Sequence, residues 1–168
     1  MLIRVCSMTE PLGISLFSDD IRFELHNKIS LIGCYGPEMI ITGDFPFLLS
    51  KLGIFVQLRL PPGNCSPSRI NIYLPDSKDD DPAVVVNIGA PTAANVEKSQ
   101  QPVGSDAMSL LGTNVPILIT PVQINAEGFI KVRVICGEKI IKAGTLKITR
   151  APQQSPNVTL PASPQPPS

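Results

Sequence analysis

Residues 128–150, near the end of the sequence, alternate between apolar and charged side chains and limit the possible folds more than any other segment. Their apolar side chains recur at every second position, as at Ile130 and Val132, with charged residues between them. A period of two places such a set on one face of a β-strand. The turn at Gly137 separates two runs of this kind, which predicts a hairpin with one buried and one solvated face. In the returning strand, Gly144 is typical of a β-bulge.

The same period recurs along most of the chain, whereas a helical period is almost absent. Pro accounts for 18 of 168 residues, which favours short elements joined by turns. About nine short strands with turn signals between them predict an all-β fold, an antiparallel, immunoglobulin-like β-sandwich. The clearest strand has Ile54, Val56, Leu58 and Leu60 on one face. A hairpin is predicted between residues 21–25 and 28–35, with its turn at His26 and Asn27.

Residues 1–150 are expected to form one domain, because this length is enough for a single hydrophobic core. Residues 2–8 are predicted to form an edge strand, which Pro11 and Gly13 end. Small and polar residues dominate residues 89–112, which predicts an irregular loop, and the strand pattern resumes at Val115. Residues 151–168 are rich in Pro, Ser and Gln and are predicted to form a disordered tail.

The charges of the chain cancel, since it has 14 basic and 14 acidic residues. Such a chain has no overall field to attract nucleic acid. No apolar run approaches the roughly 20 residues that span a bilayer, and the first residues lack the apolar core of a secretory signal. We therefore expect a cytoplasmic protein that binds neither nucleic acid nor membrane. The sequence leaves the oligomeric state open.

The cysteines are Cys6, Cys34, Cys65 and Cys136, and they lie far apart with no CxxC pair. Zinc sites need ligands clustered at turn spacing, which this pattern does not offer. In a chain without an export signal, disulfides are disfavoured. The cysteines within apolar runs are therefore expected to be reduced residues of the core.

Several segments occur in an order that is known from other proteins. Asp19 and Asp20 open a strand, a turn with Lys28 leads into SLIGCYG, FPF precedes the strand GIFVQLRLP, and GFIKVRVICGEKI forms the final hairpin. In this order the chain resembles a family of small uncharacterised bacterial proteins, each built as one β-sandwich. The resemblance covers residues 16–150, and residues 89–112 depart from it. It implies the fold and carries no assigned activity.

No recognisable catalytic set or cofactor motif occurs in the sequence. The only histidine, His26, lies in a predicted turn, and no partner is evident that would make it a general base. SxxK, GxGxxG and GxxxxGK[ST] are all absent. We expect a non-catalytic protein without a cofactor. An enzyme with a site assembled from loops around His26 is the weaker alternative.

The acidic residues of the turn at 76–81 are the candidate metal ligands: Asp76, Asp79, Asp80 and Asp81. Calcium takes six to eight oxygen ligands, and loops of a β-sandwich can gather carboxylates. The alternative is a solvated loop whose charges discourage strand pairing.

Lys131 and Arg133 are the candidate partner-binding residues, because both are expected to point outward from the closing hairpin. Taken together, the sequence predicts a non-catalytic binding or structural module. It would engage a protein partner through an exposed sheet edge or the 89–112 loop. A calcium-dependent binding domain is the alternative.

Overall fold

Strands make up most of the described part of the chain. The computed structural model describes residues 10–60, 67–88 and 111–152, without the side chains of residues 67, 68 and 111. The strands are β1 Leu12–Phe23, β2 Ile29–Cys34, β3 Glu38–Ile41, β4 Phe47–Leu49, β5 Leu52–Leu60, β6 Pro67–Tyr73, β7 Val84–Asn87, β8 Leu111–Ile119, β9 Val122–Ile124, β10 Gly128–Cys136 and β11 Lys139–Arg150. A 3-10 turn at Leu25–Asn27 joins β1 to β2. The all-β prediction is confirmed, and the strands number eleven in these residues.

The longer strands form two sheets. The four-stranded sheet has the order β2-β1-β5-β8, and the five-stranded sheet has the order β3-β11-β10-β6-β7. β4 and β9 form a separate two-stranded ladder. The prediction of purely antiparallel pairing is wrong at one edge, because β3 runs parallel to β11. Most of the chain lies between these two strands, so no hairpin dictates their relative direction.

Both sheets contribute to one hydrophobic cluster. In β5, Ile54, Val56 and Leu58 are fully buried and Leu60 nearly so, which confirms the face that their alternation predicted. The five-stranded sheet adds fully buried residues from three neighbouring strands: Ile70, Ile72, Ile130, Val132, Val134, Leu146 and Ile148. The apolar faces of the two sheets therefore meet in a common core.

The first hairpin is longer than the sequence predicted. β1 begins at Leu12 and includes Gly13, which the sequence pattern suggested as the end of an earlier strand. Gly13 belongs to the strand because it pairs with Leu58 of β5, and its lack of a side chain leaves room for Ile141 and Ala143 of β11. The predicted turn is confirmed: His26 and Asn27 both have positive φ, at 61° and 57°.

The closing hairpin is confirmed as β10 and β11, joined at Gly137. The ladder shifts register where Val132 lies opposite Gly144 and Arg133 opposite Lys142, which confirms the bulge at this point. β8 begins at Leu111, so the last residues of the predicted 89–112 loop belong to a strand. The rest of that loop, the predicted strand at residues 2–8 and the tail beyond residue 152 lie outside the described residues.

Candidate partner-binding edge

Three of the four outer edges of the two larger sheets carry features that oppose the addition of another strand. β8 contains Pro116, which cannot donate a ladder hydrogen bond. β2 contains Gly33 in the left-handed region, with φ 66°. β3 is four residues long and begins with Glu38, directly after Pro37. Short strands, charges and prolines at edges are the usual means of preventing edge-to-edge pairing.

The fourth edge, β7, is as short as β3 but lacks the other features. Its sequence is Val-Val-Val-Asn, with no proline, glycine or charged residue. One side of β7 pairs antiparallel with β6, with Val86 opposite Ile70 and Val85 opposite Asn71. No strand lies on its other side among the described residues. β7 is therefore the edge of the described sheets best suited to accept an additional strand.

The side chains of β7 leave the core partly open at this edge. Val84, Val86 and Ile88 pack against the hydrophobic cluster but are only half-buried. Val85 points away from the cluster and is 46% exposed. An extended segment beside β7 would therefore extend the hydrogen-bonded sheet and cover the half-buried side chains at the same time.

The carboxylates of the acidic turn at residues 76–81 do not converge on one point. Asp76 Oδ2 accepts a hydrogen bond from Asn125 Nδ2 at 2.5 Å. Asp79 Oδ1 forms an ion pair with Lys131 Nζ at 3.0 Å. Lys131 lowers the pKa of the Asp79 carboxyl through this hydrogen bond and its charge. Asp80 and Asp81 are exposed. No group of three or more metal-binding side chains is found among the described residues, which include all four aspartates.

Lys131 and Arg133 do not form an open basic patch. Both are half-buried, and Lys131 is held by Asp79. Arg133 Nη1 donates to the backbone oxygen of Val132 at 2.9 Å. Their cross-strand neighbours on β6 are Tyr73 and Asn71. The stems of these basic side chains thus lie over a polar row of the sheet, with their charged ends engaged.

Tyr73 and Asn71 show where the alternating pattern misleads. Both alternate with core residues and would be expected on a solvated face, yet they are 8% and 5% exposed. Asn71 Nδ2 donates to Tyr73 Oη at 3.3 Å. Long cross-strand side chains such as Lys131 and Arg133 can cover shorter neighbours on the same face.

A shallow groove of about 460 Å³ lies between residues 10–13 and 139–142. Its ionisable side chains are Glu10, Lys139 and Lys142, all of them exposed. No serine, threonine, cysteine or histidine is among the residues that line this groove. His26 is fully outside it, on the exposed turn between β1 and β2, and no side chain of the described residues orients its ring.

Each of the two described cysteines confirms one half of the prediction of reduced core residues, because Cys136 is 1% exposed in the core and Cys34 is a free thiol. Cys136, at the end of β10, is disulfide-bonded, and its partner lies outside the described residues. Cys34 is a free, exposed thiol and not a core residue. Disulfides are rare in cytosolic proteins, so a bond at Cys136 was not expected; the cytoplasmic location stays a prediction.

Within the described residues, no helix has the length and apolar character needed to cross a membrane.

Comparison of the sequence and the structure with known proteins finds no relative of this chain. No model of a protein family matches the chain, and neither a curated protein nor a solved structure matches it. The resemblance to small bacterial β-sandwich proteins therefore remains a prediction.

Proposed function

We propose that this chain is a non-catalytic binding module that takes up an extended segment of a protein partner as an additional strand beside β7. The main support for this proposal is the difference between β7 and the other three edges of the two larger sheets. β7 has an uncharged, β-branched sequence, whereas the other edges of the larger sheets are blunted by Pro116, Gly33 or Glu38.

The chemistry of the edge defines the partner. Backbone groups along one side of β7 would supply hydrogen bonds, and pockets for alternate side chains would supply selectivity. Val84 and Val86 present half-buried apolar surface on the core side. The partner segment should therefore be extended, with small or β-branched apolar residues at every second position.

The scaffold is suited to this role. The two sheets share a core, which is the arrangement expected of a β-sandwich. Packing against this core would hold β7 in place and leave its outer edge open. The predicted loop at residues 89–112 would be a second place for partner contacts, and that part of the proposal stands on the sequence alone.

Selection of displayed random peptides of about a dozen residues against the full chain tests the proposal, since such peptides can adopt a strand. We expect selected peptides to carry alternating apolar residues and to shift the backbone amide resonances of residues 84–87. Peptides that bind without affecting these amides would contradict strand addition.

Two neighbouring proline variants sharpen the test. In an antiparallel pair, successive N–H groups point alternately to the partner strand and to the open side. Of Val85→Pro and Val86→Pro, one should lose stability, because it breaks a bond to β6. The other should stay folded but lose the peptide. Val85→Thr, which keeps the backbone donor, is the matched control and should still bind. A folded proline variant that binds like the wild type would refute the proposal.

A further inference from the structure

The four-stranded sheet has a second apolar face, on the side opposite the core. In β1, residues 12, 14 and 16 point outward while Gly13 and Phe17 point toward the core. In the register of the sheet, Leu16, Phe55 and Pro116 form one cross-strand row. We call the outer face the surface formed by the apolar residues Leu12, Ile14, Leu16, Phe55, Pro116 and Leu118.

This face is exposed although it is apolar. Leu12, Ile14, Leu16 and Leu118 each keep between 44% and 48% of their surface exposed. A solvated sheet face normally carries polar residues at these positions. Contiguous apolar surface of this kind on a folded protein marks an interaction site.

Charge is almost excluded from the outer face. In the cross-strand rows that β1, β5 and β8 contribute to this face, Arg59 is the one charged side chain. It lies in the row at the end of the face, between Leu12 and Gly112. In the next row, Gln57 Nε2 donates to Asn114 Oδ1 at 3.3 Å, so these two amides partly satisfy each other. The middle of the face can therefore be covered without burying an unpaired charge.

We propose that the outer face packs against the same face of a second copy of this chain. A flat apolar sheet face is complemented best by another one, since two such faces pack about 10 Å apart with interdigitating side chains. A twofold axis across β1 near Ser15 brings Ile14 of one copy over Leu16 of the other. Because the formal net charge of the chain is zero, the two copies have no net charge repulsion to overcome.

The size of the face sets the strength of this pairing. The rows from Leu12 to Ser18 span three strands, which at ordinary strand spacings gives a footprint of roughly 24 by 14 Å. Two such footprints amount to roughly 700 Å², which is well below the roughly 1,200 Å² at the low end of specific interfaces. We therefore expect a weak dimer that forms as concentration rises. Pro116 on β8 opposes lateral growth of the same sheet, so pairing by faces is favoured over pairing by edges.

Sedimentation velocity of the full chain over a wide concentration range tests the proposal. All samples carry Cys34→Ser, because an exposed thiol could form a disulfide between copies and imitate the dimer. The wild-type face should move from monomer to dimer as concentration increases. Leu16→Asp, which places a charge in the middle of the face, should weaken dimerisation at least about tenfold.

Ile40→Asp is the matched control. Ile40 is 61% exposed on β3, in the other sheet, and the substitution introduces the same charge. This variant should dimerise like the wild type. If Leu16→Asp does not fold, Ile14→Thr replaces it, since threonine suits a strand and should also weaken the dimer.

A chain that remains monomeric at every concentration would overturn the inference, as would a dimer that Leu16→Asp and Ile40→Asp weaken equally. The proposed strand addition lies on the five-stranded sheet, so the proline variants of β7 should dimerise normally. Failure of one proposal therefore leaves the other intact.

Discussion

Gly13 of β1 lies directly against Ala143 of β11, where the two larger sheets come together. A β-carbon added to Gly13 would lie 3.0 Å from Ala143 Cβ, 3.1 Å from Ile141 Cγ2 and 3.3 Å from Leu58 Cδ2. Nearby, a β-carbon on Gly144 would lie 3.0 Å from Ser15 Cβ. Small residues on both strands are thus what allows the sheets to meet here.

Gly13→Ala should destabilise the protein, because the new methyl group meets neighbours on three sides. Overpacking of this kind typically costs about 1–3 kcal/mol. Chemical denaturation measures the change in the free energy of unfolding. Gly36→Ala is the control, since nothing lies within 4 Å of its added β-carbon. Equal stability of the two variants would show that the sheets are not in contact at Gly13.

The sequence predicted the parts of this fold that depend on local pattern. Alternation identified the buried face of β5 from Ile54 to Leu60, and it identified the closing hairpin. It could not predict that β3 pairs parallel to β11, because pairing between distant strands leaves no local signal. It also placed Gly13 at a strand end, since the close approach to Ala143 that requires a glycine is a tertiary contact.

The candidate sites were predicted less well than the fold. The acidic run was visible in the sequence, but the separation of Asp76 toward Asn125 and Asp79 toward Lys131 depends on which strands are neighbours. The place of β7 at a sheet edge follows from strand order, which no local pattern in the sequence indicates. The lack of proline, glycine and charge in β7 was the one local signal that could have singled it out.

Glu38 should make stability depend on pH. Lys147 and Thr149 hold its pKa below the usual value through hydrogen bonds, each 2.9 Å long. A carboxyl whose pKa is lower in the folded state stabilises the fold above its unfolded pKa of about 4.3. That contribution is lost as pH falls through the folded value. Thermal melts from neutral to acidic pH should therefore show a smaller decline for Glu38→Gln than for the wild type. Glu24→Gln, in the exposed turn, is the control, and parallel curves for all three proteins would contradict this assignment.

Calcium should leave the melting midpoint unchanged. A ligand that binds the folded state alone must raise the midpoint. Asp76 and Asp79 already engage different partners, so the acidic turn does not present a converging set of oxygens. Melts in millimolar calcium and in chelator compare the two states directly. A higher midpoint in calcium that disappears in an Asp80→Asn, Asp81→Asn double variant would restore the calcium-binding alternative.

The disulfide at Cys136 should be detectable in the purified chain and should contribute to stability. Alkylation of the unfolded, unreduced chain should modify Cys34 and spare Cys136, and peptide mapping would then identify the partner cysteine. Reduction should lower the free energy of unfolding by about 2–4 kcal/mol, because the unfolded chain regains the freedom that the cross-link removes. Cys34→Ser should change neither the alkylation of Cys136 nor the effect of reduction. Quantitative alkylation of Cys136 without reductant would exclude the bond and would make the expected cytoplasmic location compatible with the chemistry of the chain.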